Sequence, residues 1–219
     1  KTATSEMIIP LPGETEETYF KGQKFLMDNS IVPDTYTLMM LCGAELGRDH
    51  AIKKYNMKSK FRILPKEYGK YKGTKIFEIE KICVETNTMS YKNYLNCRNY
   101  SLFVRLLNHK LFLPIHKLTK EINIGWYELT RALIELVKDK NFKGKLKDYY
   151  NEFCTESRDE LFETEEEAIS FYSNLKNYEL LEKGEIGENL SKKYLAKGLF
   201  IYSDVVSTIF YLIKKKFMK

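Results

Sequence analysis

The sequence predicts an α/β fold in which a strand–helix–strand unit precedes a short β extension and a mainly α-helical C-terminal region. Two short apolar runs, residues 6–9 and 35–41, flank a stretch with helical spacing, as expected of two strands joined by a helix. From Ser90 onward, apolar residues recur at intervals of three and four, which is typical of helices packed on a core. The chain has 219 residues, 43% of them hydrophobic, and is long enough to bury a substantial core.

The first predicted strand, residues 6–9, is closed by a proline-rich turn. Thr15 is a suitable helix N-cap, and Glu16 and Glu17 then fall in the first turn, where the helix dipole favours acidic side chains. The second run, residues 35–41, is short, apolar and partly β-branched, as a buried strand would be. A strand–helix–strand unit of this kind normally makes two parallel neighbours.

Two turns follow these strands, PLPGE at residues 10–14 and CGAEL at residues 42–46. Ligands of parallel α/β folds bind beyond the carboxyl ends of the strands. We therefore expect the two turns to lie side by side at one mouth. Gly13 and Gly43 permit a close backbone approach that a side chain would block, although each glycine is equally explained by a tight turn alone.

The chain divides into three predicted segments. Residues 1–57 hold the strand–helix–strand unit and a loop, residues 58–89 form the short β extension, and residues 90–219 form the helical region. Four side chains of the helical region are expected to be buried because of their spacing: Trp126, Leu133, Phe210 and Ile213.

Charge is unevenly distributed along the chain. Residues 53–75 contain nine cations and one acid, and residues 152–167 contain eight acids and one cation. The ordinary interpretation of such runs is a solvated surface. Two alternatives remain: a non-enzymatic binding module that contacts RNA or a protein partner through residues 53–75, and an interaction protein whose acidic segment meets a basic partner.

The four cysteines contain no closely spaced pair, so the sequence predicts no metal centre built from this chain alone. They are typical of the reduced thiols of a cytoplasmic protein. No signal peptide is visible, and the longest apolar run is too short to span a bilayer. We expect neither a membrane nor, on balance, nucleic acid as a partner.

Residues 7–15, MIIPLPGET, resemble a motif of radical S-adenosylmethionine enzymes, in which an apolar strand is followed by Gly-Leu-Pro-Gly-Glu-Thr and a helix. Pro10 stands where glycine is common. Residues 37–46, TLMMLCGAEL, are similar to the family's next strand, which ends in Leu-Pro-Gly-Thr-Glu-Leu, with Cys42 and Ala44 as departures. The segments FRILP (61–65) and FEIEKI (77–82) resemble the cobalamin-binding subgroup.

This resemblance implies that the chain contains the fifth and sixth strands of a partial (βα)6 barrel and is the C-terminal part of a longer protein. The family's cysteine triplet, Cys-x3-Cys-x2-Cys, is absent from these residues. The implied partner is therefore the N-terminal part of the same protein, which would supply the ligands of a 4Fe-4S cluster. The full-length protein would cleave S-adenosylmethionine for radical chemistry, with cobalamin-dependent methyl transfer as one form, while this chain alone would be inactive.

The resemblance also implies which residues meet the adenosyl cofactor. Backbone and apolar groups at the two strand ends contact the adenine and ribose in the family, and the acidic residue of the first turn tethers the loop to the helix. No residue of this chain is assigned a catalytic or metal-binding role, and the substrate is not indicated. The cofactor-binding residues implied are Ile9, Leu11, Gly13, Glu14, Leu41, Cys42 and Gly43.

Overall fold

The computed structural model describes residues 3–217, and its N-terminal unit is a strand, a helix and a strand. Strands β1 (Ala3–Ile9) and β2 (Ile31–Thr37) pair in parallel along their whole length, and α1 (Glu16–Asp28) connects them. The parallel pairing predicted from the sequence is thus confirmed. The first strand begins three residues earlier than predicted.

Helix α1 begins at the predicted cap. The Thr15 hydroxyl accepts a hydrogen bond from the Thr18 N–H (3.1 Å), and the Thr18 hydroxyl accepts one from the Thr15 N–H (2.9 Å). Two of the four N–H groups that a helix leaves unpaired at its start are satisfied in this way. Tyr19, Gln23 and Met27 form the buried face of α1.

The predicted β extension is a long hairpin. Strands β3 (Lys58–Tyr71) and β4 (Thr74–Glu85) pair antiparallel and are joined at Lys72 and Gly73. Both joining residues have positive φ, 49° and 86°, as a two-residue hairpin turn of type I′ requires.

The position of β2 corrects the sequence prediction. The strand covers Ile31–Thr37, not residues 35–41, because the chain leaves β1 after Thr37 and pairs antiparallel with β4. The Met40 N–H donates to the Lys81 carbonyl, and the Cys83 N–H donates to the Leu38 carbonyl, both at 2.8 Å. The apolar run, residues 35–41, therefore contains the last three residues of β2 and then connects the parallel pair to the hairpin.

The region after Ser90 is predominantly helical, which confirms the prediction. This region ends in a π-helical turn (Ile213–Phe217). One further short helix, α2 (Asp49–Lys54), lies earlier in the chain, before the hairpin. The helices of the C-terminal region are α3 (Tyr91–Leu107), α4 (Leu113–Glu121), α5 (Trp126–Lys138), α6 (Lys145–Asp159), α7 (Glu165–Ser173), α8 (Leu175–Glu182), α9 (Leu190–Phe200) and α10 (Tyr202–Leu212).

Three of the four side chains expected in the helical core are buried: Trp126, Leu133 and Ile213. The prediction for Phe210 is wrong, because its side chain is 47% exposed. On α10 the core-facing residues are Val205, Ile209 and Leu212. Phe210 follows Ile209 directly, and successive helical residues point about 100° apart, so it lies to the side of the buried stripe.

One hydrophobic core joins the three predicted segments. Its buried residues include Tyr19 on α1, Ile82 on β4 and Leu133 on α5. Each of the two sheets has two strands within residues 3–217, and these strands do not close into a barrel. In the same residues no single helix is long and apolar enough to cross a membrane. The pair α9–α10, extended to Phe217, reaches that length and composition but is bent by 77°.

Candidate functional site

The first of the two predicted turns directly follows β1, whereas the second, residues 42–46, begins five residues after β2 ends at Thr37. Ile9 and Thr37, the last residues of β1 and β2, are partners in the sheet register. Leu11 of the first turn and Leu46 of the second pack against the same small cluster of buried side chains: Leu38, Met40, Met57 and Cys83. Both turns thus contact one buried cluster, which includes Leu38, the residue after β2.

Both turns need a glycine for their backbone. Gly13 has φ of 87° and Gly43 has φ of 83°, in the left-handed region that side chains disfavour. A Cβ atom built on either residue would meet no atom within 4 Å, so the space beside both glycines is open in the described chain.

The implied cofactor-binding residues differ in how much surface they present. Ile9 is 2% exposed and its carbonyl accepts the Leu38 N–H (2.8 Å), so this residue belongs to the core and not to an open surface. Leu11 and Glu14 are half-buried. The remaining four are exposed, with Leu41 at 55%: Gly13, Leu41, Cys42 and Gly43.

Glu14 ties the first turn to its surroundings. Its carboxylate accepts a hydrogen bond from the Thr18 hydroxyl on α1, which is the tethering contact that the sequence predicts. Its carbonyl accepts the Thr88 hydroxyl (2.8 Å), and its N–H donates to the Leu11 carbonyl (3.0 Å). These contacts hold the turn against both the helix and the loop after β4.

One face of the β1–β2 sheet is uncovered. Thr4, Glu6 and Ile8 alternate along β1 on the exposed face, and Ile8 is opposite Tyr36 of β2. Ile8 is 42% exposed and Tyr36 is 45% exposed. Within residues 3–217 no strand pairs with the outer edge of β1. An open edge beside an exposed apolar pair is a surface that proteins normally cover.

A polar cleft of about 190 Å³ adjoins the strand ends, and the sequence did not indicate it. It is lined by Ile9 and Thr37 together with Arg62, Arg98 and Glu160. Burial disfavours the charged form of Arg98, but the Glu160 carboxylate outweighs this effect and raises the pKa of Arg98. Arg62 lies on β3, Arg98 on α3, and Glu160 directly after α6. Arg62 and Glu160 belong to the two opposite charge runs, which were the only sequence signal for this cleft.

Ion pairs between the two charge runs change the interpretation of both. Lys60 pairs with Glu163, and Arg62 pairs with Glu160. Among the nine cations of residues 53–75, four contact a carboxylate within the described chain: Lys58, Lys60, Arg62 and Lys70. The fold thus neutralises part of the positive charge on which the nucleic-acid alternative depends.

The four cysteines are free thiols that differ in burial. Cys42 is exposed, Cys154 is half-buried, and the other two are buried. Burial raises the pKa of Cys83 to about 11 and also raises the pKa of Cys97, so both thiols are protonated at neutral pH. No three Cys, His, Asp or Glu side chains of residues 3–217 are grouped to hold a metal ion.

No protein-family model matches the chain, and no curated protein matches it.

Proposed function

We propose that this chain is the C-terminal part of a radical S-adenosylmethionine enzyme and supplies part of its adenosyl-cofactor site. The observation that supports this proposal is the parallel strand–helix–strand unit, together with two glycine-containing turns that pack on one buried cluster beside the strand ends. This is the position at which parallel α/β folds bind ligands. The resemblance of residues 7–15 and 37–46 to the family's motifs names the ligand.

The exposed groups at the two turns suit the nucleoside part of such a cofactor. Leu41 and Leu11 offer apolar surface for the adenine, and the open space beside Gly13 and Gly43 lets the backbone approach it. The proposed contacts are therefore made by Leu11, Gly13, Leu41, Cys42 and Gly43. Ile9 and Glu14 would support the turns from behind.

The uncovered face and open edge of the β1–β2 sheet support a larger assembly. A two-stranded sheet is marginal alone, and an unpaired edge with an exposed apolar pair invites a further strand. In our proposal that strand belongs to the N-terminal part of the same protein, which completes the partial barrel. That part also carries the cysteines of the 4Fe-4S cluster, the group that would supply the electron for radical chemistry.

Cluster reconstitution tests this proposal. The isolated 219-residue chain is expected to show no brown iron–sulfur chromophore after anaerobic reconstitution, because its four cysteines are far apart in sequence and the family's cysteine triplet is absent from these residues. It is likewise expected to form no deoxyadenosine from S-adenosylmethionine and reductant. The protein encoded by the same reading frame with its upstream sequence is expected to do both. A stable cluster and cofactor cleavage on the isolated chain, or neither activity in the longer protein, contradicts the proposal.

Three glycines provide a matched test of the proposed contact surface. In the longer protein, Gly13→Ala and Gly43→Ala are expected to weaken S-adenosylmethionine binding by at least about tenfold, since each Cβ occupies space the cofactor would use. Gly73→Ala is the control, because Gly73 at the hairpin tip has nearly the same φ (86°) and equally open space.

All three substitutions place alanine in the left-handed region, so each should lower the free energy of unfolding by about 1–2 kcal/mol. Calorimetric titration of the cofactor, together with urea unfolding of each variant, separates binding from stability. Equal losses of affinity in Gly73→Ala and in the two turn variants contradict the assignment of the turns.

A further inference from the structure

Residues 41–56 form a distinct segment of the surface between the strand pair and the hairpin. The segment contains one turn of 3₁₀ helix (Glu45–Gly47) and α2. Met40 and Met57, which flank it, belong to the same buried cluster, so the two ends of the segment lie close together. Compact surface loops whose ends are close together are frequently functional.

The segment packs on a small core that is separate from the main one. Leu46, Ile52 and Tyr55 of the segment pack against the cluster that contains Met57 and Cys83. Within residues 3–217, the main core includes no residue of the range 38–57. The segment itself has one fully buried residue, Ala51. It can therefore detach without disturbing the main core, as the less stable units of a fold do.

The polar side-chain contacts of the segment are internal. The Glu45 carboxylate lies 3.3 Å from Arg48 and 2.7 Å from Nε2 of His50. Among the described residues no ion pair joins the segment to another part of the chain. The Leu41 carbonyl lies so close to Gly47 that a Cβ atom added to this glycine would overlap it. The segment is thus folded on itself and can keep its shape when it moves.

Both ends of the segment have backbone in the left-handed region. Gly43 has φ of 83°, and Asn56 has φ of 48°. Asparagine is one of the few residues other than glycine that adopt this conformation. Hinges are commonly a few residues at the ends of elements that absorb large changes in φ and ψ. The Asn87 N–H, which donates to the Tyr55 carbonyl (2.8 Å), holds the second end against the loop after β4.

We propose that residues 41–56 are a lid, which opens as a unit from the base of the hairpin while the main core stays folded. Opening exposes Cys83 and moves Leu41, Cys42 and Gly43 away from the first turn. The opening does not rest on the proposed function. Its consequence for that function does: an open lid admits and releases the adenosyl cofactor, and a closed lid holds it.

Two buried thiols report on the lid and on the main core. Cys83 and Cys97 are both 0% exposed, but Cys83 belongs to the cluster under the lid and Cys97 to the main core. The probe is iodoacetamide, applied to the Cys42→Ser chain, which lacks the exposed thiol of the lid itself. Mass spectrometry of the digested protein gives the alkylation rate of each thiol. Each rate is divided by the rate of the same thiol in the urea-unfolded chain.

Cys83 is expected to react at least about a hundredfold faster than Cys97, because opening of the lid requires less of the fold to be disrupted. Its rate is also expected to rise less steeply with urea, since local opening exposes less surface than global unfolding. Equal rates with equal urea dependence would show that Cys83 is uncovered only when the whole chain unfolds, and would overturn the proposal.

Two glycine variants test whether the lid opens as a unit. Gly47→Ala forces the Leu41 carbonyl away and is expected to raise the Cys83 rate at least about tenfold, with the Cys97 rate unchanged. Gly69→Ala is the control, because Gly69 of β3 has open space for a Cβ atom, and both rates should stay as they are. No change of the Cys83 rate in Gly47→Ala, or an equal rise at both thiols, contradicts the proposal.

Discussion

Replacement of Glu160 by glutamine is expected to lower the free energy of unfolding by about 2–3 kcal/mol. Glu160 follows α6 and accepts hydrogen bonds from Arg98 and from Nη1 of Arg62 (3.3 Å). Nε of Arg62 also donates to Glu80, its cross-strand partner, at 2.5 Å. One carboxylate thus joins the hairpin to α3 and α6.

The magnitude follows from burial. The side chains of Glu160 and Arg98 are 16% and 12% exposed, so removing the negative charge leaves a largely buried guanidinium without its partner. Breaking a fully buried ion pair costs about 3–5 kcal/mol. The 22% exposure of Arg62 allows water to screen part of the remaining charge, which reduces this range.

Glu163→Gln is the matched control for Glu160→Gln. Glu163 lies three residues away in sequence and pairs with Lys60, but its side chain is 70% exposed. This change should therefore cost less than about 1 kcal/mol. Urea unfolding of both variants, followed by far-UV circular dichroism, gives the comparison. A cost for Glu160→Gln that is no larger than the control would show that the network is solvated.

The sequence did not predict this ion network, for a physical reason. Both charge runs are visible as composition, but their contact depends on the register of β3 and on where α6 ends against it. Those distances are set by packing over about a hundred residues of chain. In contrast, Thr15 was identified as a helix cap because a cap depends on residues within one turn.

The boundaries of β2 show the same limit. Pro33 lies inside this strand, where proline is normally disfavoured because it lacks an N–H for the ladder. β2 pairs only with β1 in its described sheet, and an edge strand tolerates proline. The strand ends at Thr37 because residues 38–40 pair with β4, some forty residues later, which no local pattern encodes.

The candidate site could be predicted only in part. The two turns were located because glycine is the residue that positive-φ turn positions favour, which is a local signature. The charged cleft beside Ile9 was not predicted, since it depends on Arg98 of α3, some ninety residues further along the chain.

Adjacent residues of α10 provide the second large effect. Ile209→Ala is expected to lower the free energy of unfolding by about 2–4 kcal/mol, because Ile209 is fully buried in the main core and its loss leaves a cavity. Phe210→Ala removes a larger side chain, yet should cost only about 1 kcal/mol. Phe210 is 47% exposed, so less area is lost from the interior, and alanine is the better helix former.

Ile209→Ala and Phe210→Ala change adjacent positions of one helix. Comparing their free energies of unfolding therefore separates the effect of burial from the effects of side-chain size and hydrophobicity. Urea unfolding of the two variants measures both costs on the same scale, and equal slopes would show that the denatured states are comparable. A greater loss for Phe210→Ala than for Ile209→Ala would mean that the exposed aromatic face of α10 is packed in solution. The expected order follows because the α-helical repeat turns Ile209 toward the core and Phe210 about 100° away from it.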